Sequence, residues 1–280
     1  MGTTGQRRLT KEQKDVGCVR VWIAAAVSVA VLGLARPAAA QTDEIQVYTG
    51  SLAAPHVFNL TLHNNFTPDG QKTPAFAGAV TSDKSWNGVP EWAYGVTDWF
   101  EAGLYLPLYS HDKVQGWELD GFKLRTLFAV PHADDRTFVY GTNFEFSFNA
   151  KHWDTSGFTS EIRPIVGWHL SQVDIIVNPI LDTAYNGLGN LEFAPSARVA
   201  YNVSKTMAFA VEEYAEFGPL KGFLPVNQQV HQVYGVFDAT ARSVDIEFGV
   251  GVGLTGASDR VTIKLILSRD LNPRKTAIQK

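Results

Sequence analysis

Cysteine is almost absent from this chain of 280 residues, which has one, Cys18. Since Cys18 is the only cysteine and lies before the first apolar run, the chain that follows that run has no disulfide, no thiolate metal ligand and no cysteine nucleophile. Long apolar runs are also missing. The longest, 21–35, is shorter than the roughly 20 residues that a spanning helix needs, and the mean hydropathy is −0.07. Helical spans are therefore not indicated, but transmembrane β-strands remain compatible, since only alternate residues of such strands face lipid.

The first 40 residues have the composition of a secretory signal peptide. Basic residues between Arg7 and Arg20 precede the apolar run 21–35, and Ala38 and Ala40 then form an A-x-A cleavage site. We expect cleavage after Ala40, which leaves 41–280 as one domain. An uncleaved anchor is the alternative.

Positive charge is scarce in the remaining domain. Residues 41–280 keep 18 of the 24 Lys/Arg and 26 of the 28 Asp/Glu residues, a formal charge of −8. Nucleic acid is therefore not an expected partner, because it requires clustered basic charge. The seven histidines show no metal-ligand spacing, and we expect no metal and no cofactor.

What the sequence does contain is a repeated pattern of alternating segments, each followed by a turn. Period-two alternation predicts β-strands, and segments of nine to thirteen residues suit tilted membrane-crossing strands, which need about 9–11. The segments are 57–65, 89–97, 100–109, 121–130, 137–149, 158–169, 172–181, 190–202, 206–217, 229–239, 244–254 and 260–269. Their connections alternate between long, led by 66–88, and short, as in an up-and-down barrel. The prediction is an all-β, antiparallel transmembrane barrel of about 12 strands in the outer membrane, in contact with its lipid.

Strand parity assigns each side chain to lipid or to the lumen. In "TNFEFSFNAKHW" (142–153) the phenyl rings alternate with polar groups, so we expect the rings to face lipid. The predicted lipid-facing residues are Phe144, Phe146, Phe148, Val250 and Val252. The predicted lumen or constriction residues are Lys123, Arg125, Asn143, Glu145, Glu161, Arg163, Arg198, Glu212 and Lys264. Among them, we expect Glu145 to lie between Arg125 and Arg163. These charges should either plug most of the lumen or leave a narrow passage through it.

Three stretches carry a resemblance to a known family. "EWAYGVTDWFEAGLYLPLY" (91–109), "EIRPIVGW" with "DIIVNPIL" (161–181) and "DIEFGVGVGLTGASD" (245–259) resemble Gram-negative outer-membrane proteins named after a phenol-degradation pathway. The resemblance implies an outer-membrane barrel and a role in the passage of small hydrophobic or aromatic compounds. The chain departs from the common barrel pattern in continuing past Arg269 with "DLNPRKTAIQK".

Two motifs suggest other chemistry. Gly249, Gly251 and Gly253 alternate within a strand, so they suit a smooth patch on the lumen face or room for a bulky neighbour rather than a phosphate loop, which must open a helix. His169 and Ser171 suggest a lipid hydrolase, although such a pair is common at turns.

Three hypotheses follow. The first is a narrow pore or uptake channel for small solutes. The second is a non-conducting barrel with structural or surface-binding duties, which would use the 66–88 loop as its contact surface. The third is a lipid hydrolase using His169 and Ser171.

Pro164, Pro179 and Pro195 lie inside predicted strands, where they predict breaks or bulges. The sequence does not specify the solute, conduction or oligomeric state.

Overall fold

The structure, a computed structural model, describes residues 43–273, so the predicted signal peptide, 1–40, lies outside the described residues. The regular secondary structure of the described chain is almost entirely β-strand. The strands are β1 Phe58–Asp69, β2 Ser85–Gly95, β3 Phe100–Asp112, β4 Gly116–Ala129, β5 Phe138–Asn149, β6 Phe158–Leu170, β7 Val173–Asn178, β8 Leu181–Thr183, β9 Glu192–Phe193, β10 Ser196–Ser204, β11 Met207–Glu216, β12 Gly218–Pro219, β13 Val230–Ala241, β14 Val244–Gly253 and β15 Val261–Asp270. Three single-turn 3-10 helices, Ala133–Asp135, Leu188–Asn190 and Val226–Gln228, lie in the connections.

The strands form one closed antiparallel barrel with twelve wall strands. β1 pairs with β2 on one side and with β15 on the other, which closes the sheet. Three wall strands consist of two segments each, namely β7 with β8, β9 with β10, and β11 with β12. The predicted twelve-stranded barrel is therefore confirmed. By the usual orientation of such barrels, the end with the short turns 171–172, 205–206 and 242–243 faces the periplasm.

Two of the three segmented wall strands are interrupted at prolines, as expected, while β11 and β12 separate at Phe217. The register on either side of each gap places Pro164, Pro179 and Pro195 opposite one another on three neighbouring wall strands. Since proline has no N–H to donate, the ladder is interrupted at Pro179 and Pro195. β6 nevertheless runs unbroken through Pro164, and Ala194 N–H still donates to the Ile180 carbonyl at 3.1 Å.

The second extracellular connection differs from the prediction. A long loop was expected at 110–120, but β3 and β4 continue as a hairpin that turns at 113–115. The alternation used to place the strand ends fails there because Gly121, at φ 132°, lies in a bulge where the register between β3 and β4 shifts. A bulge reverses which alternate residues face the lumen. The period-two pattern therefore stops at the bulge, although β3 and β4 continue beyond it.

The outer surface is apolar and carries two levels of aromatic side chains. Toward the extracellular end, Phe122 stacks on Phe148 with ring centroids 4.5 Å apart, and Phe158 follows at 5.1 Å. Toward the periplasmic end, Trp99 stacks on Phe128 at 6.1 Å. Two aromatic girdles around an apolar band are what a bilayer requires of a barrel. The protein is an outer-membrane β-barrel. In the part that the structure describes, no helix has the length and apolar character of a membrane-spanning helix.

Candidate functional site: the barrel lumen

A stretch of chain without regular secondary structure occupies the lumen. Residues 43–50, here called the luminal segment, precede β1 and lie among inward-facing side chains of the wall. Asp43, Glu44, Ile45, Val47 and Tyr48 are each 7% exposed or less. Eight extended residues span roughly 26 Å, close to the thickness of the apolar core of a bilayer. Residues 43–50 lie in none of the predicted strands, and their place in the lumen was not predicted from the sequence.

The segment crosses the lumen rather than lining one strand. Its Tyr48 N–H donates to Asn178 Oδ1 at 2.7 Å, and Asn178 Nδ2 donates back to the Tyr48 carbonyl at 3.0 Å. On a different wall strand, β15, Lys264 Nζ donates to the Ile45 carbonyl at 3.1 Å. Side chains of the wall therefore satisfy the backbone of a segment that belongs to no ladder.

Near the periplasmic rim the segment turns back toward β1. Gly50 lies at φ 88°, and a Cβ there would meet Val139 Cγ1 at 2.9 Å. Only glycine adopts this conformation at low cost. Beyond it, the Ala53 N–H donates to Glu101 Oε2 at 2.5 Å.

Tyr48 is the aromatic contact of the segment. Its ring lies 4.4 Å from the guanidinium carbon of Arg163 and 5.5 Å from that of Arg125, distances at which a cation and a π face attract. Its hydroxyl is hydrogen bonded to the Tyr105 hydroxyl and lies 3.5 Å from Glu145 Oε1.

The two acidic residues of the segment bind lumenal cations. Asp43 pairs with Lys123 at 2.8 Å, and Glu44 Oε1 lies 3.4 Å from Arg163 Nη1. Arg163 also holds Glu161 through two hydrogen bonds of 2.6 and 3.0 Å. One guanidinium therefore contacts a carboxylate of the wall, a carboxylate of the segment and the ring of Tyr48.

The partners of Glu145 differ from the expected ones. Register places Arg125 directly opposite Glu145, but Arg125 pairs with Glu91 and Glu101 instead. Glu145 accepts hydrogen bonds from Asn143 Nδ2 at 2.9 Å and Lys123 Nζ at 3.4 Å. Strand parity gave the height and face of Glu145. Arg163 pairs with Glu44 and Glu161. Neither arginine therefore forms a described ion pair with Glu145, because other carboxylates compete for both guanidinium groups.

A second network fills the opposite side of the lumen. Lys264, fully buried, lies 2.5 Å from both Glu212 Oε2 and Glu247 Oε1. Arg198 also pairs with Glu212, with Asp238, and at 3.6 Å with Glu247. The alternating glycines of β14 leave room for these groups, because a Cβ at Gly249 would meet Lys264 Cε at 2.8 Å.

Carboxylates outnumber cations in the lumen. In the part of the chain that the structure describes, Lys123, Arg125, Arg163, Arg198 and Lys264 each contact at least two carboxylates. In addition, Glu145, Glu161, Asp182 and Glu192 are directly paired across four neighbouring wall strands. Like charges directly opposite one another are unfavourable, so this wall attracts positive charge.

The structure places the sequence-assigned residues as follows. Arg125, Asn143, Glu145, Arg163, Arg198, Glu212 and Lys264 are buried within the lumen, and the side chains of Lys123 and Glu161 are 13% and 17% exposed. Phe146, Phe148, Val250 and Val252 are between 38% and 47% exposed on the outer surface, and Phe144 is half-buried there. Six further residues of the lumen were not predicted from the sequence, namely Asp43, Glu44, Tyr48, Glu91, Glu101 and Tyr105. The only signal for the first three was an acidic pair followed by an apolar and aromatic stretch after the leader.

The first extracellular loop folds inward. The strands leave 70–84 as the connection, shorter than the predicted 66–88, and its Ala79 and Val80 are buried. Asp259 Oδ1, from the last extracellular loop, accepts hydrogen bonds from the Gln71 N–H at 2.8 Å and from Ser82 Oγ at 2.5 Å. The loop is thus anchored over the extracellular end of the lumen, while 72–74 and 77–78 stay exposed to solvent.

A cavity of about 270 Å³ lies at the periplasmic mouth, beside the luminal segment. It is lined by Gln46 of the segment, by the acidic residues Asp238 and Glu247, and by Ile266 and Ser268. Among residues 43–273, no group of His, Cys, Asp and Glu side chains is arranged to hold a metal ion.

His169 lies at the same end of the barrel. Its Nδ1 is 2.6 Å from Asp174 Oδ1, and Asp174 Oδ2 accepts a hydrogen bond from Asn202 at 2.7 Å. Ser171 occupies the turn at φ 59°. The imidazole is therefore oriented by a carboxylate, but the described hydrogen bonds do not connect it to Ser171.

Comparison with known proteins shows the fold alone. No family model and no curated protein matches the sequence. Among solved structures, the COG4313 outer membrane channel from Pseudomonas putida F1 is similar with a TM-score of 0.54 and 12% identity, covering 82% of this chain and 100% of that one. The NanC porin has a TM-score of 0.49 and 8% identity, covering 77% of this chain and 100% of that one.

Proposed function

We propose that this protein is an outer-membrane channel for small solutes and that the luminal segment holds it in a closed resting state. The observation that carries the proposal is the luminal segment itself. The barrel encloses a polar passage wide enough for a polypeptide, and the segment in that passage is held by side-chain contacts rather than by a β-ladder. Displacing it would leave a water-filled lumen, because the wall is lined with charged and hydroxyl groups.

Planar bilayer recordings test this proposal. We expect the wild-type barrel to conduct weakly and a variant lacking 43–50 to show a severalfold larger single-channel conductance. Arg260→Met, which removes one charge from a side chain that is 81% exposed, is the control and should conduct like the wild type. Absence of conductance in both wild type and deletion variant would instead support a non-conducting barrel with structural or surface-binding duties.

We propose cleavage after Ala40, which mass spectrometry of the mature N-terminal peptide tests. We also propose membership of the family named after the phenol-degradation pathway, supported by 91–109, 161–181 and 245–259 and by the barrel fold. Passage of hydrophobic or aromatic compounds is part of this proposal.

We assign no enzymatic role. The hydrolase alternative needs His169 to activate Ser171, whereas the described contacts of His169 lead to Asp174. Unchanged phospholipid and lipopolysaccharide turnover in Ser171→Ala would agree with this assignment, and loss of such turnover would contradict it.

A further inference from the structure

We propose that the place occupied by the luminal segment is a binding site for small aryl carboxylates that carry a phenolic hydroxyl, and that such ligands compete with the segment. The inference deepens the proposed channel function in one respect, since the ligand is taken to be the solute that opens the lumen. The basis of the inference is that side chains of the wall already bind a carboxylate and a phenol ring, both of which belong to the luminal segment.

The first step is the recognition of a carboxylate. Lys123 and Arg163 contact the carboxylates of Asp43 and Glu44 at 2.8 and 3.4 Å. Both cations belong to the wall and remain in place when the segment leaves. Ammonium and guanidinium groups in a confined lumen form charge-assisted hydrogen bonds with any carboxylate that reaches them.

The second step is the recognition of an aromatic ring. The ring of Tyr48 lies within 5.5 Å of the guanidinium carbons of both Arg163 and Arg125 and packs in a cluster with the buried wall residues Leu127, Ile165 and Ile176. Its hydroxyl meets the hydroxyl of Tyr105, which is fully buried. The site thus offers a flat cationic face, an apolar floor and a hydroxyl partner to a phenolic ring.

The third step is size. Arg163 contacts both groups at once, the carboxylate of Glu44 with Nη1 and the ring of Tyr48 with the face of its guanidinium. The two recognised groups therefore lie within the span of one small molecule. A phenol joined to a carboxylate by a short aliphatic chain has this form.

The charge of the lumen does not oppose the exchange. The segment brings two carboxylates, Asp43 and Glu44, to a wall that already has more acids than bases. A ligand with a single carboxylate replaces two negative charges with one, so the excess of negative charge falls. The tether of the segment to β1 gives it a high effective concentration, which explains why an intact barrel would bind such a ligand weakly.

Calorimetric titration of the purified barrel in detergent tests the site. The ligand is para-hydroxyphenylpropionate, compared with the neutral para-hydroxyphenylpropanol and the cationic tyramine. We expect the variant lacking 43–50 to bind the acid at least about tenfold more tightly than the wild type, because the internal competitor is gone. In that background the alcohol should bind about tenfold more weakly than the acid, the factor expected for one charge-assisted hydrogen bond.

Variants of the wall locate the binding. In the deletion background, Lys123→Met and Arg163→Met should each weaken binding of the acid about tenfold, while Arg260→Met, the same charge change on the outer surface, should leave it unchanged. Should the deletion variant fail to assemble, the Glu44→Gln/Tyr48→Ala double variant keeps the chain length and should bind more tightly than the wild type.

Several outcomes would overturn the inference, namely equal affinity for acid and alcohol, preference for tyramine, or no gain on removing the segment. Bilayer recordings separate this failure from that of the channel. A deletion variant that conducts but does not prefer the acid refutes the binding site and leaves the channel. One that binds the acid without conducting supports the site and refutes the channel.

Discussion

Replacing Lys264 with methionine tests whether the charge network of the lumen is dry. The ammonium group is fully buried and lies within 3.3 Å of four acceptors, namely Glu212, Glu247, the Ile45 carbonyl and the Tyr214 hydroxyl. Methionine keeps the length of the side chain and removes the charge. Glu212 and Glu247 then share only one cation, Arg198, which also binds Asp238. Glu212 keeps a hydrogen bond from the Tyr214 hydroxyl, but the three carboxylates exceed the single guanidinium that remains.

The expected cost follows from that geometry. Removing one partner of a buried ion pair destabilises a protein by about 3–5 kcal/mol, and the retained Arg198 places this case near the lower value. The free energy of unfolding is measured by urea titration in lipid vesicles, with tryptophan fluorescence as the signal. Lys264→Met/Glu212→Gln should recover at least about 1 kcal/mol relative to the single variant, since the second change removes one of the carboxylates that compete for Arg198.

Exposed charge gives the baseline for this measurement. Arg260→Met should change the free energy of unfolding by less than about 0.5 kcal/mol. The reasoning would be refuted if Lys264→Met cost less than about 1 kcal/mol, or if the double variant were no more stable than the single one. Either result would mean that water solvates Glu212 in the folded barrel.

Four further outcomes are expected. Phe146→Lys places a charge in the lipid face and should cost roughly 2–4 kcal/mol near the midplane, measured by the same urea titration. Single cysteines at 144 and 146 should react with a lipid-soluble maleimide, whereas one at 145 should prefer a water-soluble reagent; the opposite pattern would reverse the two faces. The surplus of lumenal carboxylates predicts a cation-preferring reversal potential, which Glu145→Gln should shift toward anions; identical potentials would remove Glu145 from the ion path. Burial raises the pKa of the Asp259 carboxyl, so proton uptake favours the closed loop. Hydrogen exchange of 70–84 should therefore quicken as pH rises through that raised pKa, once the intrinsic exchange rate is corrected, and Asp259→Asn should abolish the dependence.

The architecture was predictable because lipid imposes a simple rule on every wall strand. Phe144, Phe146 and Phe148 alternate with polar groups because one face meets hydrocarbon and the other a polar lumen. The rule failed only locally, as at Gly121, where a bulge reverses the parity. It also gave which charges point inward.

The pairing of those charges was not predictable from the wall alone. The inward charges compete for partners across the whole lumen, and the luminal segment adds two more carboxylates and a ring. No periodicity marks a segment that lacks secondary structure, so Asp43, Glu44 and Tyr48 left no repeating signal. The fold of loop 70–84 carried no local signal either, since it depends on Asp259, which is distant in sequence.

The luminal segment also constrains the order in which the protein is built. It precedes every wall strand in the chain, yet its Ile45 carbonyl binds Lys264, 219 residues later and on the last strand to be made. Its contact with Lys264 therefore forms only once β15 is in place. Contacts so distant in sequence form late and slowly. The connection to β1 lies at the periplasmic rim, so the segment has a route into the finished barrel from that side. The luminal segment, which precedes β1 in the chain, thus completes its contacts after the last strand has paired.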